Sequence, residues 1–106
     1  MRQADCPIAT ALRVISGKWK ALIFRELQSK SVGYGQLKRK IPEASQRMLT
    51  LQLRQLERDG LLKRTVHRES MIRTQYELTP YGRTLLPALE ALSHWGTRHK
   101  SRGAHL

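Results

Sequence analysis

Apolar residues recur along this chain with two different periods, and the change of period divides it. In "PIATALRVIS" (7 to 16) Ile8, Ala11, Leu12 and Ile15 stand at i, i+3, i+4 and i+7, which predicts an amphipathic helix that Pro7 opens and Gly17 ends. "KWKALIFRELQS" continues with Trp19, Leu22, Ile23 and Leu27, and Phe24 widens the apolar sector to that of a central helix covered on several sides. Trp19 reads as a core anchor. "SVGYG" reads as a turn before a short helix, "YGQLKRKI", which Pro42 closes. In "SQRMLTLQLRQLERDG" (45 to 60) Ser45 is an N-cap, Leu49, Leu53 and Leu56 form the buried stripe, and Asp59-Gly60 stops the helix.

Beyond Gly60 the period falls towards two. "LLKRTVH" and "IRTQYELT" read as strands, with "RESM" as the connection between them. "TPYGRTLLPALEALSHWGTRHK" returns to helix, with Thr79 as N-cap and Pro80 at the first helical position. Pro87 falls inside this pattern, so it either kinks the helix or shifts its start. "SRGAHL" (101 to 106) reads as a frayed tail. Two helices, then a tight pair of helices, a hairpin and a closing helix make a single domain over 1 to 106, with its core at about 6 to 100. The fold class expected is mainly α with a two-stranded β wing (α+β): a winged helix-turn-helix with terminal dimerisation helices.

Charge adds a partner to this picture. Lys and Arg number 20 against 8 Asp and Glu, a formal charge of +12 spread over the whole chain. Nucleic acid or an acidic membrane surface is the implied partner. With 40% hydrophobic residues the chain is a folded domain and not a disordered basic arm. No apolar run reaches the roughly 18 residues that span a bilayer, and the first five residues do not lead into a signal-peptide core, so a cytoplasmic location without membrane association is expected.

The helix from 45 to 58 is where the charge has a direction. At about 100° per residue, Arg47, Arg54 and Arg58 fall within roughly 40° of one another, opposite the leucine stripe. A solubilising face normally mixes signs, often as i,i+4 pairs, whereas this ridge carries three guanidinium groups without an acid. In a winged helix this is the helix that enters the major groove. Gln46 suits adenine and Arg47 guanine, both as bidentate partners, and Thr50 suits a base edge or a thymine methyl. The expected DNA-contacting set is Ser45, Gln46, Arg47, Thr50, Arg54 and Arg58 from this helix; of the wing's basic residues Lys63, Arg64, Arg68 and Arg73, some of which alternation turns away from phosphates, Arg68 and Arg73 are singled out. Leu51 is the one clear apolar residue on the outward side. Excess apolar surface on Leu85, Leu89, Leu92 and Trp95 predicts a dimer through this helix and the one holding Leu12 and Ile15.

Other chemistries find little support. The four histidines are scattered, and His94 and His99 are five apart and share no helix face, so no metal site is expected. "GYG" lacks the context of a phosphate loop, and no nucleophile, base and acid stand in plausible elements; neither an enzyme nor a cofactor is expected. The competing reading is a winged helix that serves as a protein or RNA adaptor without an operator.

"CPI" at 6 to 8, "GKWK" at 17 to 20, "SQRMLTLQLRQLERDGL" at 45 to 61, "YELTPYGR" at 76 to 83 and "HWG" at 94 to 96 run in order along nearly the whole chain. Together they resemble the HxlR family of winged helix transcription regulators. The resemblance implies a homodimer joined mainly through the terminal helices, which acts as a sequence-specific regulator, in the first instance a repressor, on an inverted-repeat operator. The chain departs from the family pattern in its wing, where "HRESMIRT" at 67 to 74 has none of the prolines common there. Cys6, the one cysteine, excludes an internal disulfide and would cap the first helix, where free N–H groups and the helix dipole favour a thiolate; Asp5 opposes this. Several regulators of this family resemble the chain in having a cysteine near the N-terminus and use it to sense electrophiles or oxidants, which makes Cys6 a candidate sensor beside its alternative as a packing residue.

Overall fold

A computed structural model describes residues 6–103. The elements run α1 (Pro7–Val14), α2 (Lys18–Leu27), β1 (Val32–Gly33), α3 (Tyr34–Lys40), α4 (Gln46–Arg58), β2 (Leu62–His67), β3 (Arg73–Leu78), α5 (Pro80–Arg83) and α6 (Leu86–Gly103). Asp5 and the last three residues of the expected tail lie outside the described residues.

The local signals read from the sequence act as expected at the ends of α4. The Ser45 hydroxyl accepts the Met48 N–H at 3.0 Å, so one free donor of the first turn is satisfied. At the other end Gly60 adopts φ 79°, and the Gly60 and Leu61 N–H groups return to the carbonyls of Glu57 and Leu56, both at 3.0 Å. A side chain at Gly60 would be strained in that left-handed conformation. The turn reverses the chain into β2.

Three strands form the sheet, in the order β1-β3-β2 and antiparallel throughout. The hairpin pairs Leu62 with Leu78, Arg64 with Tyr76 and His67 with Arg73. The expected two-stranded wing thus gains a third strand: Val32 pairs with Tyr76 and Gly33 with Gln75, where the sequence reads as a turn. Two residues carry no period of their own, and only the edge of β3 recruits them.

The core is small and continuous. Ile23, Phe24 and Leu27 of α2, Leu37 of α3, Leu49, Leu53 and Leu56 of α4, and Leu61, Leu62, Tyr76 and Leu78 around the hairpin are all buried. Trp19 is half-buried against this cluster, with the Lys18 ammonium 4.6 Å from the centre of its ring. Pro87 shifts the helix start and does not kink it. Thr79 caps the one-turn α5, its hydroxyl accepting the Gly82 N–H at 2.9 Å, and α6 restarts at Leu86 with the proline in its first turn. α6 also continues through Ser101, Arg102 and Gly103, which the sequence reads as frayed.

Two elements stand outside the core. Neither α1 nor α6 contains a buried residue, although both carry apolar stripes. The radius of gyration, 15.6 Å, exceeds the ~13 Å of a compact chain of about this length. Ile8 is 71%, Leu12 53%, Leu92 48% and Trp95 58% exposed. Of the residues expected at an interface, Leu85 and Leu89 turn inward and pack against the core, and Ile15 is a half-buried C-cap; Leu12, Leu92 and Trp95 remain open. Periodicity marks a residue as apolar without choosing between the chain's own core and another surface.

Candidate nucleic-acid interface

α4 is held from behind and open in front. Leu49, Leu53 and Leu56 are at most 1% exposed, which locks the rotation of the helix about its axis. That rotation leaves Arg47, Leu51, Arg54 and Arg58 exposed on the opposite side, and Gln46 is exposed as the first residue of the helix. None of the three arginines makes a salt bridge among the described residues. The amphipathic pattern therefore does two things at once: it buries one face, and it aims the cationic ridge outward.

Two of the residues expected at DNA also have partners within the protein. Thr50 is half-buried, its hydroxyl 3.4 Å from the Tyr34 hydroxyl, and Tyr34 donates at 3.3 Å to the Gln46 carbonyl. Tyr34, at the start of α3, thus bridges the two helices of the helix-turn-helix at the N-terminal end of α4. Ser45 is exposed, but its oxygen already serves as the cap of the helix.

In the wing, Arg68 lies just beyond the end of β2 and Arg73 opens β3; both are exposed. His67 and Gln75 stiffen the hairpin through a 3.0 Å hydrogen bond between Nε2 and Oε1. The loop tip exposes Met71 and Ile72. Arg64, which the sequence counts among the basic residues of the wing without singling it out, takes a particular place. Strand alternation places it on the same face as Leu62, and the register sets it opposite Tyr76, so it turns towards α4. Its Nε stands 3.7 Å from Oε2 of Glu57, an acid on α4 that the arginine ridge leaves to one side. The signal was present: a basic residue on a position that alternation assigns to the inside.

Tyr34, Thr50, Arg54, Glu57, Arg64, Thr74 and Tyr76 line a polar cleft of about 420 Å³ between α4 and the wing. Burial raises the Tyr76 phenol above its ordinary value, the Arg64 charge opposing and Glu57 reinforcing the shift. A second groove, of about 880 Å³, runs between α2 and α6, lined by Ile15, Leu22, Phe24, Leu86, Leu89 and Leu92 among others. No group of three or more potential metal ligands occurs among the described residues. No helix is long and apolar enough to cross a membrane, again among the described residues.

Cys6 takes the N-cap position of α1, with Pro7 following. Its side chain makes no capping hydrogen bond, it is half-buried, and it forms no disulfide.

Known proteins share this arrangement. The model of the HxlR-like helix-turn-helix family matches residues 14–104. The HTH-type transcriptional regulator YdeP of Bacillus subtilis is 40% identical over 97 residues, which span 92% of this chain and 76% of that protein. The redox regulator HypR in its reduced form superimposes with a TM-score of 0.89 at 36% identity, covering 95% of this chain and all of the other. A MarR-family regulator from Porphyromonas gingivalis superimposes with a TM-score of 0.84 at 33% identity, covering 92% and 95% of the two chains. With a winged helix fold, an outward cationic recognition helix and these matches, the chain belongs to the HxlR-like helix-turn-helix family of DNA-binding transcriptional regulators.

Proposed function

We propose that the protein is a homodimeric, sequence-specific repressor of the cytoplasm that binds an inverted-repeat operator and has no enzymatic role. The observation that carries this reading is α4, whose buried leucines fix its rotation and leave Arg47, Arg54 and Arg58 outward and, among the described residues, without a salt bridge. Gln46 and Arg47, in the first turn, read bases; Arg54 and Arg58, further along, take phosphates with Arg68 and Arg73 of the wing. The exposed stripes of α1 and α6 support self-association, and a two-fold dimer presents two copies of α4 to half-sites about 34 Å apart. With DNA on one side and a second copy on the other, occlusion of the operator is the simplest mode of regulation. The adaptor reading is disfavoured because Leu51 is the one large exposed apolar residue of α4.

Selection of bound duplexes from random DNA tests the reading, and an inverted repeat is the expected product. On that repeat Arg47→Ala costs about 1–3 kcal/mol and on random DNA little, whereas Arg68→Ala weakens both alike. Equal losses for Arg47→Ala on both duplexes move it to the phosphate contacts, and the absence of any repeat favours the adaptor.

A response to oxidants or electrophiles through Cys6 is the second part of the proposal. Its support is the free, half-buried thiol at the start of the exposed α1, together with the similarity to a redox regulator solved in both its oxidised and reduced forms. Attack of the thiolate on diamide, with release of the reduced hydrazine by a second thiol, leaves either a Cys6 to Cys6 bridge between subunits or a mixed disulfide. Treatment should release DNA from the wild type and not from Cys6→Ser. Equal sensitivity of the two proteins returns Cys6 to a packing role.

A further inference from the structure

The cleft between α4 and the wing is not explained by the ridge alone. Four elements, α3, α4, β2 and β3, converge on it. Arg54 and Glu57 come from adjacent turns of α4, Arg64 from β2, and hydroxyl groups from Tyr34, Thr50, Thr74 and Tyr76 surround them. Arg54 belongs both to the cleft and to the outward ridge, so the cleft opens onto the face assigned to DNA. Its two guanidinium groups and one carboxylate leave a single formal positive charge, the complement of one phosphodiester.

We infer that this cleft seats one backbone phosphate of each bound half-site between Arg54 and Arg64, and that Glu57 holds Arg64 in the free protein and restrains DNA affinity on every sequence. The inference rests on the DNA-binding reading above. Glu57 and Arg64 are 38% and 48% exposed, so water screens their 3.7 Å attraction and the pair is easily parted. A phosphodiester offers Arg64 a shorter, charge-assisted hydrogen bond and releases a counterion from the duplex. Once Arg64 turns to the phosphate, the Glu57 carboxylate faces the polyanion uncompensated. In a chain of net charge +12, such an acid limits non-specific binding. The Tyr34 hydroxyl, anchored on the Gln46 carbonyl and Thr50, keeps the wall of the cleft in register with the reading end of α4.

The sign of the Glu57 effect separates this role from a purely structural bridge. Binding is followed by fluorescence anisotropy across a salt series, on the selected operator and on a random duplex. Arg64→Gln should weaken both duplexes alike by roughly tenfold and lower the salt slope by about 0.9, the contribution of one neutralised phosphate. Glu57→Gln should tighten both duplexes by roughly three- to tenfold. If Glu57→Gln instead weakens binding as Arg64→Gln does, the pair merely fastens the wing to α4 and the inference falls. Should Arg64→Gln unfold, Arg64→Lys keeps the charge and must keep the slope.

Single methylphosphonates, which remove one backbone charge at a time, give the second arm. One position per half-site should weaken the wild type more than Arg64→Gln, which keeps only the Arg54 contact to that phosphate; if no position distinguishes them, the phosphate seat is wrong. Inorganic phosphate at constant ionic strength should not displace DNA, and displacement through Arg64 would mean a small-anion site instead. The random-duplex arm reads the cleft even where no operator preference exists, so failure of the seat and failure of sequence-specific binding are told apart.

Discussion

Replacing Trp95 with Ala tests whether α6 is an interface, because the size of the effect follows from its exposure. The indole is 58% exposed on a helix without a buried residue, and one of its faces already lies against His99, with ring centroids 4.9 Å apart and planes 9° from parallel. Of the ~250 Å² that a large aromatic side chain can bury, about 145 Å² is open, worth ~3.6 kcal/mol at ~25 cal/mol per Å². A two-fold interface contains the residue twice. Allowing for imperfect packing and the surface the alanine keeps, Trp95→Ala should weaken dimerisation by about 4–7 kcal/mol, at least a thousandfold. Sedimentation equilibrium from nanomolar to about 100 µM, the range where such affinities fall, reads this directly. Operator affinity should drop with it, since a monomer binds one half-site. A variant that dimerises within threefold of the wild type refutes the interface, whatever it does to DNA binding.

Two further expectations concern the hinge between the wing and α6 and the cleft beneath the wing. A Cβ at Gly82 would collide with the Leu61 carbonyl, the group that accepts the Thr79 N–H at 3.1 Å. Gly82→Ala should therefore destabilise the fold by about 1–3 kcal/mol and lower Tm by roughly 5–20 °C; an unchanged melting curve would mean that the turn shifts freely. Burial raises the Tyr76 phenol above 10.0, so the folded state keeps a proton that the unfolded chain releases. The contribution is whole below pH ~10 and is lost as pH rises through the folded value, which a series of urea midpoints should show and Tyr76→Phe should flatten.

What the sequence makes legible is whatever short-range rules decide. The caps at Ser45 and Thr79, the stop at Gly60 and the leucine stripe of α4 are local, and each stands where the pattern puts it. β1 is different, because Val32 and Gly33 become a strand only by pairing with residues over 40 positions away. Leu85 and Leu89 show the other limit: a helical stripe can face its own core at one end and open surface at the other. Arg64 shows a third. Its meaning depends on register, since one residue of slippage would turn it away from Glu57 and close the account of the cleft.

The groove beside α6 and the back of α4 are only one helix apart. α2 buries Ile23, Phe24 and Leu27 in the core that α4 also enters, while Leu22, Arg25 and Gln28 line the groove beside α6, and Phe24 does both. The Arg83 guanidinium donates to the Gln28 carbonyl at 3.2 Å, which ties the end of α2 to the turn from which α6 departs. Close-packed side chains do not absorb displacement gradually. In the proposed dimer, a partner that fills the groove between α2 and α6 would link a rearrangement of α6 to the back of α4 through α2. The leucines that fix the rotation of α4 are part of the core that α2 enters. Such a shift acts on the spacing of two recognition helices more readily than on the chemistry of either, because Arg47, Arg54 and Arg58 point away from it. Loss of operator binding with retained binding to a single half-site would be the signature of that route in the proposed dimer.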